Sequence, residues 1–255
     1  MDKYRRRIEK KRNMELLILR RVVTLSFLFS YIKIMIDLYI YFLLALLFYN
    51  ILNKINPSND ILKYNKDYCL IVGYKGVIKK KSVIVDMRIT PHLLVCGLSG
   101  SGKTKCIEYA IKDKRVIILN AFKNDFKSIN CPKINGEMNI ISILTNCCKQ
   151  YQKIPLYIVI DELLVLCNNK KINKCILDIL AVARHYNVYL IGIAQRGLSV
   201  DMSFKNLFNA RLCFRQVEET SYRAVLGYSI DNPNLQKREF ILLSDYIYKG
   251  KTFNV

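Results

Sequence analysis

Gly97 to Thr104 reads Gly-Leu-Ser-Gly-Ser-Gly-Lys-Thr, the Gly-x-x-x-x-Gly-Lys-Thr spacing of a phosphate-binding loop. Phosphate oxygens must come close to backbone N–H groups, so side chains are excluded at Gly97, Gly100 and Gly102, while Leu98, Ser99 and Ser101 complete the turn. Lys103 is placed to reach the β- and γ-phosphates, and the Thr104 hydroxyl to ligate a magnesium ion. Two acids, Asp161 and Glu162, end the apolar run Leu156-Tyr157-Ile158-Val159-Ile160. At the tip of a buried strand, the first would hold Mg2+ through water and the second would orient or deprotonate an attacking water. A third apolar run, Val188–Ile193, ends in Ala194-Gln195-Arg196. Gln195 is therefore a candidate sensor of the γ-phosphate. ATP and Mg2+ are the expected ligands, and hydrolysis the expected chemistry.

These groups need a scaffold that brings strand tips together. Apolar strands before Gly97 (Leu93–Cys96), at Val116–Leu119, before Asp161 and before Gln195 alternate with helical patterns, notably Lys174–His185, with a weaker one around Ile140–Cys148. Strands apolar on both faces predict an α/β fold, a RecA-like P-loop domain with a mostly parallel sheet flanked by helices. Ligands in such sheets bind at the carboxyl ends of the strands, and Gly97, Asp161 and Gln195 all fall there. Two further strands are expected ahead of the loop, within Cys69–Tyr74 and Lys81–Met87, and two final ones at Phe240–Leu243 and Thr252–Val255.

The opposite end of the chain is of another kind. Residues 1–21 hold nine Lys/Arg and predict a basic cytoplasmic N-terminus. Residues 22–52 are almost wholly apolar, interrupted by Lys33 and Asp37, and predict a transmembrane segment. The basic end and the ATP-using domain belong on the same, cytoplasmic side of a cell membrane, which favours a hairpin turning near Lys33–Asp37. Residues 53–67, with Pro57, Ser58 and Asn59, read as a linker, and 68–255 as the motor domain. The net charge is +21. Through Lys33 there are ten Lys/Arg against Asp2, Glu9 and Glu15, leaving 31 basic and 17 acidic residues in the rest. That remainder is basic by itself, as suits a polyanionic partner, although a codon bias toward Lys, Asn and Ile gives the same excess. The nine cysteines show no C-x-x-C spacing and read as reduced, buried apolar residues rather than as a zinc site.

Four segments together resemble the FtsK/SpoIIIE family of DNA translocases among the FtsK–HerA ATPases. They are SVIVDMRITPHLLVCGLSGSGKT with Asp86, Pro91 and His92, YIVIDELLVL, ARHYNVYLIGIAQRGLSVDM and NARLCFRQVEETSYRAVLG. The resemblance implies a hydrolytic set of Lys103, Thr104, Asp161, Glu162 and Gln195. It implies a homo-hexameric ring on DNA, and makes Arg184 an arginine reaching a neighbouring subunit's site. Arg196, Arg211, Arg215 and Arg223 match further family arginines without an assigned role. Ala194 and Gly197 stand where the family has Thr and Pro, and Ile118–Asp125 keeps Lys123 without the usual Asp-Pro. With no winged-helix segment before Val255, the expectation is a compact, membrane-tethered motor for plasmid or conjugative-element DNA. A protein-moving secretion ATPase or an ATP-binding membrane assembly factor is the alternative.

Overall fold

The computed structural model describes residues 2–54, 65–76, 80–122, 125–195, 200–230 and 233–253. The chain divides into two compact units, Met1–Asn56 and Pro57–Val255.

The first unit is a single helix, α1 (Asp2–Lys54). Within it Arg20–Leu47, 28 residues, is long and apolar enough to cross a membrane. At 1.5 Å per residue it measures about 42 Å, ample for a hydrocarbon layer of about 30 Å with some tilt. The hairpin expected at Lys33–Asp37 is absent, because the backbone stays helical through both residues. Two isolated charges cannot break a helix, and residues 22–52 contain neither Gly nor Pro on which to turn. Of the linker expected over 53–67, residues 55–64 lie outside those described, Asn53 and Lys54 are still helical, and Lys66–Tyr68 forms a 3-10 turn.

The second unit is built on one ten-stranded sheet. Its strands are β1 (Cys69–Lys75), β2 (Lys81–Asp86), β3 (Leu93–Cys96), β4 (Arg115–Leu119), β5 (Lys133–Ile134), β6 (Leu156–Ile160), β7 (Val188–Ala194), β8 (Ala210–Phe214), β9 (Glu239–Leu243) and β10 (Ile247–Lys251). The order across the sheet is β2-β1-β10-β9-β8-β3-β7-β6-β4-β5. From β5 to β8 every pairing is parallel, and from β8 to β2 every pairing is antiparallel. The mostly parallel P-loop fold is thus present, with an antiparallel wing beyond β8. One expected strand is misplaced. Thr252 and Phe253 lie outside any strand, and the pairing segment is Ile247–Lys251. A tight turn closed by Ser244 N–H on the Tyr246 carbonyl (3.0 Å) starts β10 early.

The helices are α2 (Lys103–Ile111), α3 (Glu137–Asn146), α4 (Leu163–Cys167), α5 (Lys170–Val182) and α6 (Glu219–Leu226). The period-2 alternation of β3 divides its residues between two cores, Leu94 and Cys96 in one, Leu93 and Val95 in the other. The first core takes in residues of α3 to α6, the second residues of α2. Helix α5 starts four residues earlier than the sequence pattern predicts, since the Asn169 side chain accepts from Lys171 N–H (2.9 Å) and Ile172 N–H (3.2 Å). Such a cap contributes about 1 kcal/mol. Ile172, Ile176, Ile179 and Leu180 form its buried stripe, each worth roughly 1.5–3 kcal/mol of burial.

Candidate functional site

The parallel register places the tips of three strands side by side. Cys96 of β3 lies opposite Ala194 of β7, and Ile160 of β6 lies opposite Gly192 of β7. The residues that follow, Gly97, Gln195 and Asp161, therefore emerge along one edge with β7 in the middle. His92 locks this arrangement from the other end of β3. Its Nδ1 accepts from Leu190 N–H (3.0 Å), while the Pro91 and His92 carbonyls accept from Asn209 N–H (3.3 Å) and Ala210 N–H (3.2 Å). Burial and then the Arg184 charge push its pKa down to about 4, so the ring is a neutral structural acceptor. Asp86 is likewise structural. Burial opposes its charge, but the hydrogen bonds and charge of Arg88, at 2.5 and 3.0 Å, hold its carboxyl below the ordinary value.

The loop leaves β3 with Gly97 N–H on the Ala194 carbonyl (3.3 Å) and Leu98 N–H on the Arg215 carbonyl (2.9 Å). A Cβ on Gly97 would lie 2.5 Å from Phe214 Cβ, so only glycine passes between β3 and β8 here. Gly102, at φ 108°, turns the chain into α2, whose first residues are Lys103 and Thr104. Lys103 is 6% exposed, and its Nζ donates to the Gly97 carbonyl (2.6 Å) and the Leu98 carbonyl (2.9 Å). Burial lowers its pKa, with Glu162, Cys96 and Asp161 acting in the opposite sense.

Across the cleft, Asp161 is 3% exposed and its Oδ2 is buried without a hydrogen-bond partner. Burial, then the Asp125 and Glu162 carboxylates, push its pKa up to about 6. A buried acid with one unpartnered oxygen, under the charge of two further carboxylates, is a place that a divalent cation would complete, so these residues fit Mg2+. Asp161 and Thr104 would hold it, and it would neutralise phosphate charge. Glu162 follows at φ 54°, a left-handed conformation uncommon for glutamate and typical of functional turns. It accepts a hydrogen bond from Gln195 Nε2.

The cleft has a volume of about 490 Å3 and gathers Ser99, Gly100, Gly102, Lys103, Thr104, Asp161, Glu162 and Gln195 from the sequence-based set. It also contains Asp125, Lys237, Arg238 and Phe253, which periodicity and motif spacing do not reveal. Gly97, Leu98 and Ser101 shape the loop beneath. Asp125 closes the stretch Ile118–Asp125 that leaves β4, the neighbour of β6. Arg184 is exposed in the 3-10 turn Ala183–Tyr186, which precedes β7 at the end remote from Gln195. It is not among the residues of its own cleft. Arg196 and Lys123 lie outside the described residues. Arg211 caps α6, donating to the Val225 and Leu226 carbonyls (both 3.4 Å), and Arg223 lies in the last turn of that helix.

The raised Asp161 pKa has a stability consequence. The folded state holds the proton to about pH 6, whereas an unfolded aspartate releases it near 3.9. Stability therefore falls as pH rises through that window, and the cost is complete above it. Asp161→Asn should raise the melting stability of the nucleotide-free protein at pH 8 by roughly 1–2 kcal/mol, solvent screening allowed for, and change it little at pH 4. Thermal melts at the two pH values check this, and equal gains at both would refute the assignment.

No protein-family model matches the chain. It is 22% identical over 236 residues to the DNA translocase FtsK of Borreliella burgdorferi, covering 72% of this chain and 30% of that protein. The chain thus spans less than a third of that relative. Among solved structures, it superposes on the pCW3 conjugation coupling protein TcpA, with ATPγS, at a TM-score of 0.62 and 15% identity, over 73% of this chain and 66% of the other. On the cytoplasmic domain of the type VII secretion ATPase EccC of Thermomonospora curvata the TM-score is 0.59 at 16% identity, over 75% and 29%. Together with the strand order and the loop, these likenesses show that the second unit has a P-loop NTPase fold, similar to that of FtsK-type ATPases.

Proposed function

We propose that this chain is a membrane-tethered, ATP-hydrolysing DNA translocase serving plasmid or conjugative-element DNA. The observation that carries hydrolysis is the Glu162–Gln195 pair, set at adjacent strand tips across the cleft from Lys103. A loop meant only to bind nucleotide needs no such pair. DNA as the cargo is supported by the likeness to a DNA translocase and to a conjugation coupling protein, and by the basic balance of the chain outside its N-terminus. The tether is α1. Arg184, exposed and outside its own cleft, is read as acting on a neighbour's, in a homo-hexameric ring.

DNA held through its phosphates gives strong salt dependence and little sequence preference. Addition of duplex or single-stranded DNA should raise the ATPase rate of the detergent-solubilised protein severalfold at about 50 mM salt. The stimulation should fade by about 200 mM. A rate that stays flat with DNA would sink the translocase reading. The likeness to EccC favours a second one, a protein-moving ATPase. For that reading the rate would respond to a cargo polypeptide and not to DNA.

A further inference from the structure

The cleft has two chemically different sides. Asp161, Glu162 and Gln195 rise from β6 and β7, on one side of the loop strand β3. On the other side, reached through β8, the sheet continues into β9 and β10. Arg238 immediately precedes β9 and Phe253 lies just beyond β10, and both line the cleft. A triphosphate lying across the loop with its terminal phosphate toward Glu162 and Gln195 must run its nucleoside toward this second side.

That side is anchored to the loop itself. Arg238 N–H donates to the Ser101 carbonyl (2.9 Å), and Thr252 N–H donates to the Arg238 carbonyl (2.9 Å). Thr252 is 2% exposed, so the chain is held firmly up to the residue before Phe253. The Phe253 ring is half-buried. Its centroid lies 4.4 Å from that of Tyr109 on α2, the rings inclined by 32°, and 5.5 Å from that of Tyr74 on β1. Two rings therefore back the Phe253 ring at the nucleoside end of the cleft.

We propose that Phe253 is the platform on which the base of the bound nucleotide stacks. This rests on the reading of the cleft as a nucleoside triphosphate site and adds the residue that engages the base. An aromatic face stacked on a base tightens binding by about tenfold or more, and it tolerates different bases because every base has such a face. The competing role is purely structural, a wedge that steadies α2 through Tyr109.

The two roles separate when a ligand with a base is compared with one without. The full-length protein in detergent is titrated calorimetrically with ATP and with inorganic tripolyphosphate, as wild type, Phe253→Ala and Phe253→Tyr. Phe253→Ala should weaken ATP about tenfold or more, leave tripolyphosphate within twofold, and Phe253→Tyr should restore ATP binding. Parallel weakening of both ligands would make the ring a wedge. Unchanged ATP binding would remove it from the site. Binding of tripolyphosphate by the wild type tests the phosphate loop separately, so failure of the platform is distinct from failure of the nucleotide reading.

Discussion

Glu162→Gln should cut ATP turnover by about 10²–10⁴-fold while leaving ATP affinity within about threefold. The substitution keeps size and shape, and the new amide oxygen can still accept from Gln195 Nε2, so the pair at the strand tips survives. What is lost is the only property an amide cannot supply, a basic oxygen able to take a proton from water. The backbone at φ 54° is equally awkward for either residue, so strain does not distinguish them. A second consequence follows from charge. Glu162 helps to raise the Asp161 pKa, so removing its charge should shift the pH dependence of Mg2+-supported nucleotide binding to lower pH. Turnover at the wild-type rate would take Glu162 out of the reaction. The same variant tests the role of Arg184. In mixed oligomers, Glu162→Gln subunits beside Arg184→Ala subunits create some interfaces with both residues intact. Activity in the mixture that neither variant has alone is the expected result for an arginine acting across the interface. No recovery would place Arg184 outside the reaction.

The half of this cleft that β6 and β7 supply was legible in the sequence, and the half beyond β8 was not. Strand β6 coincides with the apolar run Leu156–Ile160, and β7 extends the run Val188–Ile193 by one residue. A parallel strand buried on both faces must be continuously apolar, and its tip is the first place a polar residue can stand. Asp161, Glu162 and Gln195 are therefore marked by the ends of the very elements that position them. Lys237, Arg238 and Phe253 have no such marker. They reach the loop because β9 pairs with β8 and β10 with β9, and those antiparallel pairings are set by turns rather than by periodicity. Strand β10, Ile-Tyr-Lys-Gly-Lys, has no apolar run to announce it, so the sequence pattern points instead to the residues just beyond it. In α1 the charged residues mislead in the opposite sense. Lys33 and Asp37 stand out as punctuation, yet helix continuity is decided by backbone freedom, and the segment lacks the residues that would supply a turn. His92 was legible only as a family match. Its work, holding β3 against β7 through Leu190, depends on a neighbour about a hundred residues away.

Lys103→Ala is expected to weaken ATP binding by about 10²–10³-fold, yet to change the melting stability of the nucleotide-free protein by less than about 1 kcal/mol. Without nucleotide the ammonium is held by the Gly97 and Leu98 carbonyls at 2.6 and 2.9 Å. Two charged hydrogen bonds contribute about 1.5–3 kcal/mol each, but Lys103 is a buried residue and desolvation of its ammonium costs a comparable amount. The lowered pKa, with burial as its first cause, is the sign of that opposing cost. Deleting the side chain removes both effects together, and the net change in stability is small. Nucleotide binding shifts the balance. Phosphate oxygens carry full negative charge where the carbonyls carry only a dipole, so the same ammonium gains attraction at no further cost of burial. That gain, roughly 3–4 kcal/mol for two charge-assisted contacts, corresponds to the expected loss of affinity. Lys103→Arg should not rescue it. A planar fork cannot reproduce a point donor converging on two adjacent carbonyls. Calorimetric titration with ATP alongside thermal melts separates the two quantities. A large loss of stability with affinity intact would invert the argument, making Lys103 a structural pin of the loop and leaving the recognition of phosphate to the backbone N–H groups alone.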